Sequence, residues 1–458
     1  MEKILKENKM GTEKIPKVLF SLAVPIIISM IVQALYNVVD SIYVAQYNNV
    51  EGTAALGLAF PIQNLMIAVG AGLGVGMNAI LSRSLGQKNF DKANKAAGQG
   101  IFLNLIGYLA FLSFGLFFAD KFAFAQAHEN GVFNELLYEY AYVYISIISF
   151  GSICVFIQIT MERLLQSTGK SVYSMITQAS GAIVNIILDP IFIFGKLGIP
   201  EMGIKGAAIA TVIGQFVSAA LGIIFNLTVN KEINLKLKNI IPAKTLIKDI
   251  LIIGIPSVLM QAIGSVMTFS MNTILKNFGL SALNVFVIYF KLQSFVFMPI
   301  FGLTNGIIPI LSYNYGAGKP KRVFATIKLG ALCSVSYMAL GLLAFQTIPG
   351  VLLGFFNATE EILVLGRAAL RIISISFVLA GFAIICSCVC QALGKSVYSL
   401  LLSICRQLGV LIPAAYLLSL TGKVNLIWWA FPIAELVSLV LAILFLLIVL
   451  KKAFPGNI

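Results

Sequence analysis

The chain has 458 residues, 59% of them hydrophobic and 11% charged, with a mean hydropathy of +0.95. A water-soluble domain of that composition would expose gross apolar patches, so lipid is the solvent and a soluble enzyme is excluded. The net charge of +14 does not call for nucleic acid, because 23 of the 32 Lys and Arg residues lie at the termini and in even-numbered breaks between apolar runs. Only Lys121, Lys196, Lys205, Lys276 and Lys423 occupy odd-numbered breaks, and the positive-inside rule then puts both termini in the cytoplasm.

Residues 1–17 are polar and basic, and the apolar run behind them is too long for a signal peptide and has no small-residue cleavage site. Apolar runs able to cross about 30 Å of hydrocarbon follow at 18–47, 54–81, 96–119, 136–161, 172–195 and 206–230, then at 249–275, 283–311, 326–348, 362–392, 396–420 and 426–450. No series of short alternating strands is present, so helices must satisfy the backbone in lipid. The expected fold is an all-α integral membrane bundle of twelve transmembrane helices.

The helices repeat. Residues 166–174 read QSTGKSVYS and residues 391–399 read QALGKSVYS, a shift of 225 that also aligns Ile147, Ile148 and Ser149 with Ile372, Ile373 and Ser374. A shift of 230 aligns Leu81, Ser82 and Gly86 with Leu311, Ser312 and Gly316, and one of 231 aligns Pro25 with Pro256. The chain reads as a duplicated six-helix unit. Six crossings return it to its starting side, so the halves are parallel repeats. They are assigned as an N-terminal lobe at 18–230, a cytoplasmic linker at 231–248, a C-terminal lobe at 249–450 and a cytoplasmic tail at 451–458.

Nothing hydrolytic or nucleotide-binding is legible. A P-loop would need glycine where Leu164 and Val389 stand, and the glycines at 70, 72, 74 and 76 have the spacing of close helix packing. Cys386, Cys388 and Cys390 point to different sides of a helix, so no metal site is expected. Intramembrane carboxylates are the functional candidates, because burying one in hydrocarbon costs several kcal/mol unless it is paired, protonated or wet. They are Asp40, Asp189 and Glu435; Glu162 marks a cytoplasmic helix end.

Asp40 in helix 1 and Asp189 in helix 5 lie at similar depth toward the outer face, and Asn37 and Asn185 share their helix faces. Gln63 and Asn64 of helix 2 and Thr211 and Gln215 of helix 6 enter at comparable depth, giving one polar layer. Such groups also glue helices together, yet the repeat replaces Asp40 by Met271, Asn185 by Val410 and Asp189 by Ala414. The fold can thus be built without the acids. Pro25 and Pro190 release carbonyls from the ladder on the same two helices and supply bending points. The second half carries Lys291, Arg371 and Arg406 instead, and Arg406 and Glu435 reach midplane from opposite faces on adjacent helices, where an ion pair is expected.

Two six-helix repeats, the N-x-x-x-D-P motif of Asn185 to Pro190, and the block from Lys291 to Val323 with its Tyr313 to Ala317 segment resemble the multidrug and toxic compound extrusion (MATE) family over essentially the whole chain. The similarity is strongest to its DinF-like and MepA-like bacterial members. The resemblance implies a V of two lobes, open to one side at a time. It implies an antiporter of the bacterial plasma membrane that exports organic cations and amphipathic drugs against inward H+ or Na+. It maps the ion site to Asp40, Asn185, Asp189 and Thr211, with no cofactor and with a monomer as the working unit. The second acidic site of NorM-like members is missing, since Asp249 lies only at the edge of helix 7 and helix 10 has no acid. A flippase for lipid-linked oligosaccharide, from the same superfamily, is the alternative that Lys291, Arg371 and Arg406 keep open.

Overall fold

Apolar runs become helices here because hydrocarbon offers no partner to a free amide, and an α-helix pairs its interior N–H and C=O groups within one segment. The computed structural model describes residues 7–47, 51–129, 132–356 and 359–455. Among them the first six long helices are α1 (Ile15–Tyr47), α2 (Glu51–Gly86), α3 (Phe90–Phe117), α4 (Glu135–Ser167), α5 (Ser171–Ile193) and α6 (Gly203–Thr228). The next three are α7 (Lys244–Lys276), α8 (Leu280–Gly316) and α9 (Pro320–Thr347). The last are α10 (Glu360–Ser374 with Ser376–Ala392), α11 (Ser396–Ser419) and α12 (Val424–Ala453). With its 23 residues, α5 is about 35 Å long at 1.5 Å per residue, enough to cross. Outside the spans, helix Ala119–Gln126 and a two-stranded hairpin, His128–Glu129 against Val132–Phe133, connect α3 to α4.

Two spans depart from the uniform helices expected of them. The two segments of α10 meet at 42° around Ile375. There Ser374 Oγ donates to Arg371 O at 3.1 Å and Ser376 Oγ to Ile373 O at 2.6 Å, local bonds that compete with the helical ladder. In α11 the residues Cys405–Leu411 form a π turn.

The duplication is visible in the hydrogen bonds. Gly169 and Gly394 take positive φ, 84° and 77°, and end α4 and α10. After each, a lysine N–H reaches back to the helix at 2.7 Å, Lys170 to Leu165 O and Lys395 to Cys390 O. The shared GKS therefore terminates helices, a left-handed position that glycine takes without a Cβ penalty. Ser82 Oγ donates to Ser167 O and its counterpart Ser312 Oγ to Ala392 O, both at 2.9 Å.

The chain divides into two compact units, one centred on Ile28–Leu251 and one formed by Lys9–Ile27 with the chain from Ile252 onward. The division differs from a lobe beginning at residue 18, since it leaves the start of α1, including Pro25, with the second unit. Glycines allow that packing: a Cβ on Gly302 of α8 would lie 2.8 Å from Ile27 Cα, and one on Gly306 2.9 Å from Ala23 Cα. The first core gathers Phe111, Tyr144 and Phe156, the second Phe286, Tyr289, Phe377 and Trp428.

The linker is pinned to the first unit by the buried Gln99 of α3. Its Nε2 donates to Asn239 O and Ile241 O, each at 2.8 Å, and its Oε1 accepts from Ala243 N at 2.9 Å. Gln99→Leu should cost about 2 kcal/mol, given net values of about 1 kcal/mol per bond and partial recovery by water. The measurement is thermal unfolding of purified protein, and an unchanged midpoint would show that the linker does not depend on Gln99.

Candidate functional site

Small residues decide where α5 and α6 meet. A Cβ on Gly214 of α6 would lie 2.7 Å from Gly181 O and 3.1 Å from Asn185 Cβ of α5, so the two backbones approach closely beside Asn185. That approach brings Asn185 Nδ2 to 3.5 Å from Thr211 Oγ1 on α6 and leaves it 3.2 Å from Asp189 Oδ1, one turn along α5. Asp189 is fully buried. Asp40 stands seven residues from the end of α1, about 10 Å at 1.5 Å per residue, and its charge lies within electrostatic reach of Asp189.

Beside these groups is a cavity of about 290 Å³ within the first unit. Its polar lining is Tyr36, Asp40, Gln63, Asn64, Tyr144, Thr211 and Gln215, and its apolar lining includes Phe60, Met66 and Ile148. Asp40, Gln63, Asn64, Thr211 and Gln215 are thus brought together, while Asn185 and Asp189 sit behind the wall and touch it through Thr211. Asn37 lies on α1, but its side chain is outside the described residues.

Among the described residues, three oxygens in this cluster are buried with no protein donor, namely Asp40 Oδ1, Asn185 Oδ1 and Asp189 Oδ2. Buried acceptors are normally paired, and an unpaired one costs about 1–3 kcal/mol. Hard oxygens left in this way suit a proton or Na+. Two polar residues of the lining were missed in the sequence. Tyr36 precedes Asp40 by one helical turn, so the spacing alone could have found it. Tyr144 carries no such signal, and only packing brings its hydroxyl to 3.3 Å from Gln63 Nε2.

Pro25 and Pro190 both lie inside continuous helices, Pro190 directly after Asp189. In the second unit the three cations do not share a partner. Lys291 Nζ stands 5.9 Å from the centre of the Phe356 ring, Arg371 Nε donates to Gln346 O at 3.3 Å, and Arg406 Nη1 donates to Glu435 Oε1 at 3.2 Å. Arg406 and Glu435 therefore form the pair expected of them.

The family model described as MatE matches residues 25–191 and 256–417, once in each half. The chain belongs to the MatE family. It is a multi-pass membrane transporter of that family and not an enzyme. The chain is similar to the multidrug export protein MepA of Staphylococcus haemolyticus, with 28% identity over 427 residues, 93% of this chain and 92% of that one. It superposes on a crystal structure of MATE in complex with MaL6 with a TM-score of 0.89 and 25% identity, covering 98% of this chain and 99% of that one. A MOP superfamily transporter from Pyrococcus furiosus, described as having a binding pocket of reversed polarity that suggests a different function, also aligns with a TM-score of 0.89 and 25% identity over 99% of each chain.

A double-mutant cycle measures what the Arg406–Glu435 pair contributes. Arg406→Met or Glu435→Leu alone should lower the unfolding midpoint, because each leaves a charge unpaired, whereas the double variant should recover much of the loss. Additive losses would mean that the two charges act independently.

Proposed function

We propose that this MatE transporter is a secondary multidrug exporter that moves amphipathic organic cations outward against inward H+ or Na+. The observation that carries the reading is the trio of unpartnered oxygens on Asp40, Asn185 and Asp189 beside the polar cavity. Two carboxylates in a poorly hydrated site repel one another when both are ionised, and one proton or one Na+ relieves that repulsion. The name of the Staphylococcus haemolyticus relative supports export of multiple drugs.

The physical scheme follows from charge. With the carboxylates ionised the layer attracts a cationic drug, and an ion arriving from outside neutralises it. Bending of α1 near Pro25 then changes the wall that carries Asp40, and the drug is released outward. Both termini face the cytoplasm of a bacterial cell in this reading, and the monomer is the working unit. The flippase reading needs convergent cations for a pyrophosphate. Lys291, Arg371 and Arg406 each have a separate local partner, which favours the drug exporter.

Asp189→Asn should abolish drug efflux from cells while leaving the amount of protein in the membrane unchanged. Full resistance in that variant would refute the assignment of the ion site. In purified protein, drug affinity should fall as pH drops from about 9 to about 5, or as Na+ is added, because protonation or metal binding removes the negative charge that holds the cation. An affinity indifferent to both ions would exclude the coupling scheme. In sealed vesicles, drug-driven ion flux distinguishes the exporter from a flippase, which would answer to a lipid-linked pyrophosphate instead.

A further inference from the structure

The second unit holds a buried carboxylate that this scheme does not use. Glu435 of α12 accepts one hydrogen bond through Oε1 from Arg406 of α11, while its Oε2 is buried with no protein donor. Arg406 belongs to the π turn Cys405–Leu411, which forfeits the regular ladder in mid-span. Such turns are rare and frequently sit at functional sites.

The internal repeat shows what the pair replaces. The buried residues Ala434, Ser438 and Ala442 of α12 repeat the small-residue stripe Gly214, Ser218 and Gly222 of α6 at a shift of 220. In that register Glu435 stands where the first unit has Gln215, and the shift of 225 puts Arg406 where it has Gly181. At Gly181 a Cβ would collide with Ser218 Oγ, so the first unit admits no side chain there. Gln293, 230 residues after Gln63, likewise has a buried Oε1 without a donor. Gln63 and Gln215 line the cavity that holds Asp40, so both of their counterparts in the second unit carry an unfilled acceptor.

We propose that Glu435 is a second proton-exchanging site, which takes a proton on Oε2 and excludes metal cations. The guanidinium 3.2 Å from the carboxylate repels Na+, whereas a proton adds a donor where none exists. The groups facing Glu435 are few. Arg406 faces it from α11, and the Tyr289 phenol from α8 interacts electrostatically with both charges. From α10, Cys386 belongs to the apolar cluster that includes Ala442, two turns further along α12, and Lys291 and Arg371 are held by Phe356 and Gln346. The two side chains are 25% and 13% exposed, so the pair is not sealed within the protein. Protonation leaves the Arg406 charge uncompensated, so the pair goes from neutral to net positive and repels a cationic drug as the proton binds. That service in transport rests on the coupled-export reading, but the titration itself does not.

The test is infrared difference spectroscopy of the full chain in lipid, following the carbonyl stretch of protonated carboxyl groups between about pH 9 and about pH 5, with proton uptake measured in parallel. Glu435→Gln should remove one carboxyl band and one proton taken up per chain, while Asp189→Asn should keep that band. Arg406→Gln should retain the band to higher pH than the wild type, a displacement that loss of packing alone does not produce. Arg406→Gln with Glu435→Gln leaves no charge at this site, and it should fold and lack the band even if a single variant does not fold. A Glu435→Gln or double-variant spectrum and proton count equal to the wild type would overturn the proposal, as would an Arg406→Gln band unmoved in pH. Loss of drug-driven flux in Asp189→Asn, with the Glu435 band intact, would bear on the first site alone.

Discussion

Hydrocarbon neither donates nor accepts hydrogen bonds, and every polar atom placed in it must find its partner within the protein. The long helices meet that demand for the backbone, and many hydroxyls meet it by bonding back to their own helix. Ser84 donates to Ile80 O, Thr160 to Phe156 O, Ser257 to Ile253 O and Thr326 to Arg322 O, all within 2.9 Å. Against that background an unpartnered oxygen is informative because it costs stability that the fold could have avoided. Asp40, Asn185 and Asp189 carry three such atoms in one cluster, and Glu435 another in the other unit.

Duplication separates what the frame needs from what the chemistry needs. Matching elements have kept their hydrogen bonds, as at Gly169 and Gly394 and at Ser82 and Ser312, because each helix must end and dock in the same way in both units. The helix pair α5 and α6 and the pair α11 and α12 have diverged. One closes through glycine and serves an acidic cluster, while the other is held by an arginine–glutamate pair on a π turn. One scaffold thus carries two polar clusters of different character, an acidic one beside the cavity and an arginine–glutamate pair on a π turn.

Drug chemistry fits this division. An apolar wall with a few polar groups accepts varied ligands through nonspecific burial, and Phe60, Met66 and Ile148 supply such a wall beside Asp40. On the proposed export reading, discrimination there depends on charge more than on shape, and a bound proton or Na+ would alter that charge.

The amino-acid sequence determined the solvent, the number of crossings and the duplication, since those depend on hydrophobic runs and on local motifs at fixed shifts. It also determined which residues could form the polar layer: Asp40, Asn185 and Asp189 share helix faces with their neighbours by spacing alone, and Arg406 and Glu435 reach a common depth by counting residues from each end. Only the tertiary structure decided which of these touch. Close packing at Gly181 and Gly214 joins Asn185 to Thr211, and Tyr144 enters the cavity from a helix whose local sequence shows no reason for it. The bend at Ile375, the π turn around Arg406 and the anchoring of the linker on Gln99 were equally illegible. Periodicity reports the environment of one helix at a time, whereas these features arise where two backbones or two distant side chains compete for the same space or the same hydrogen bond.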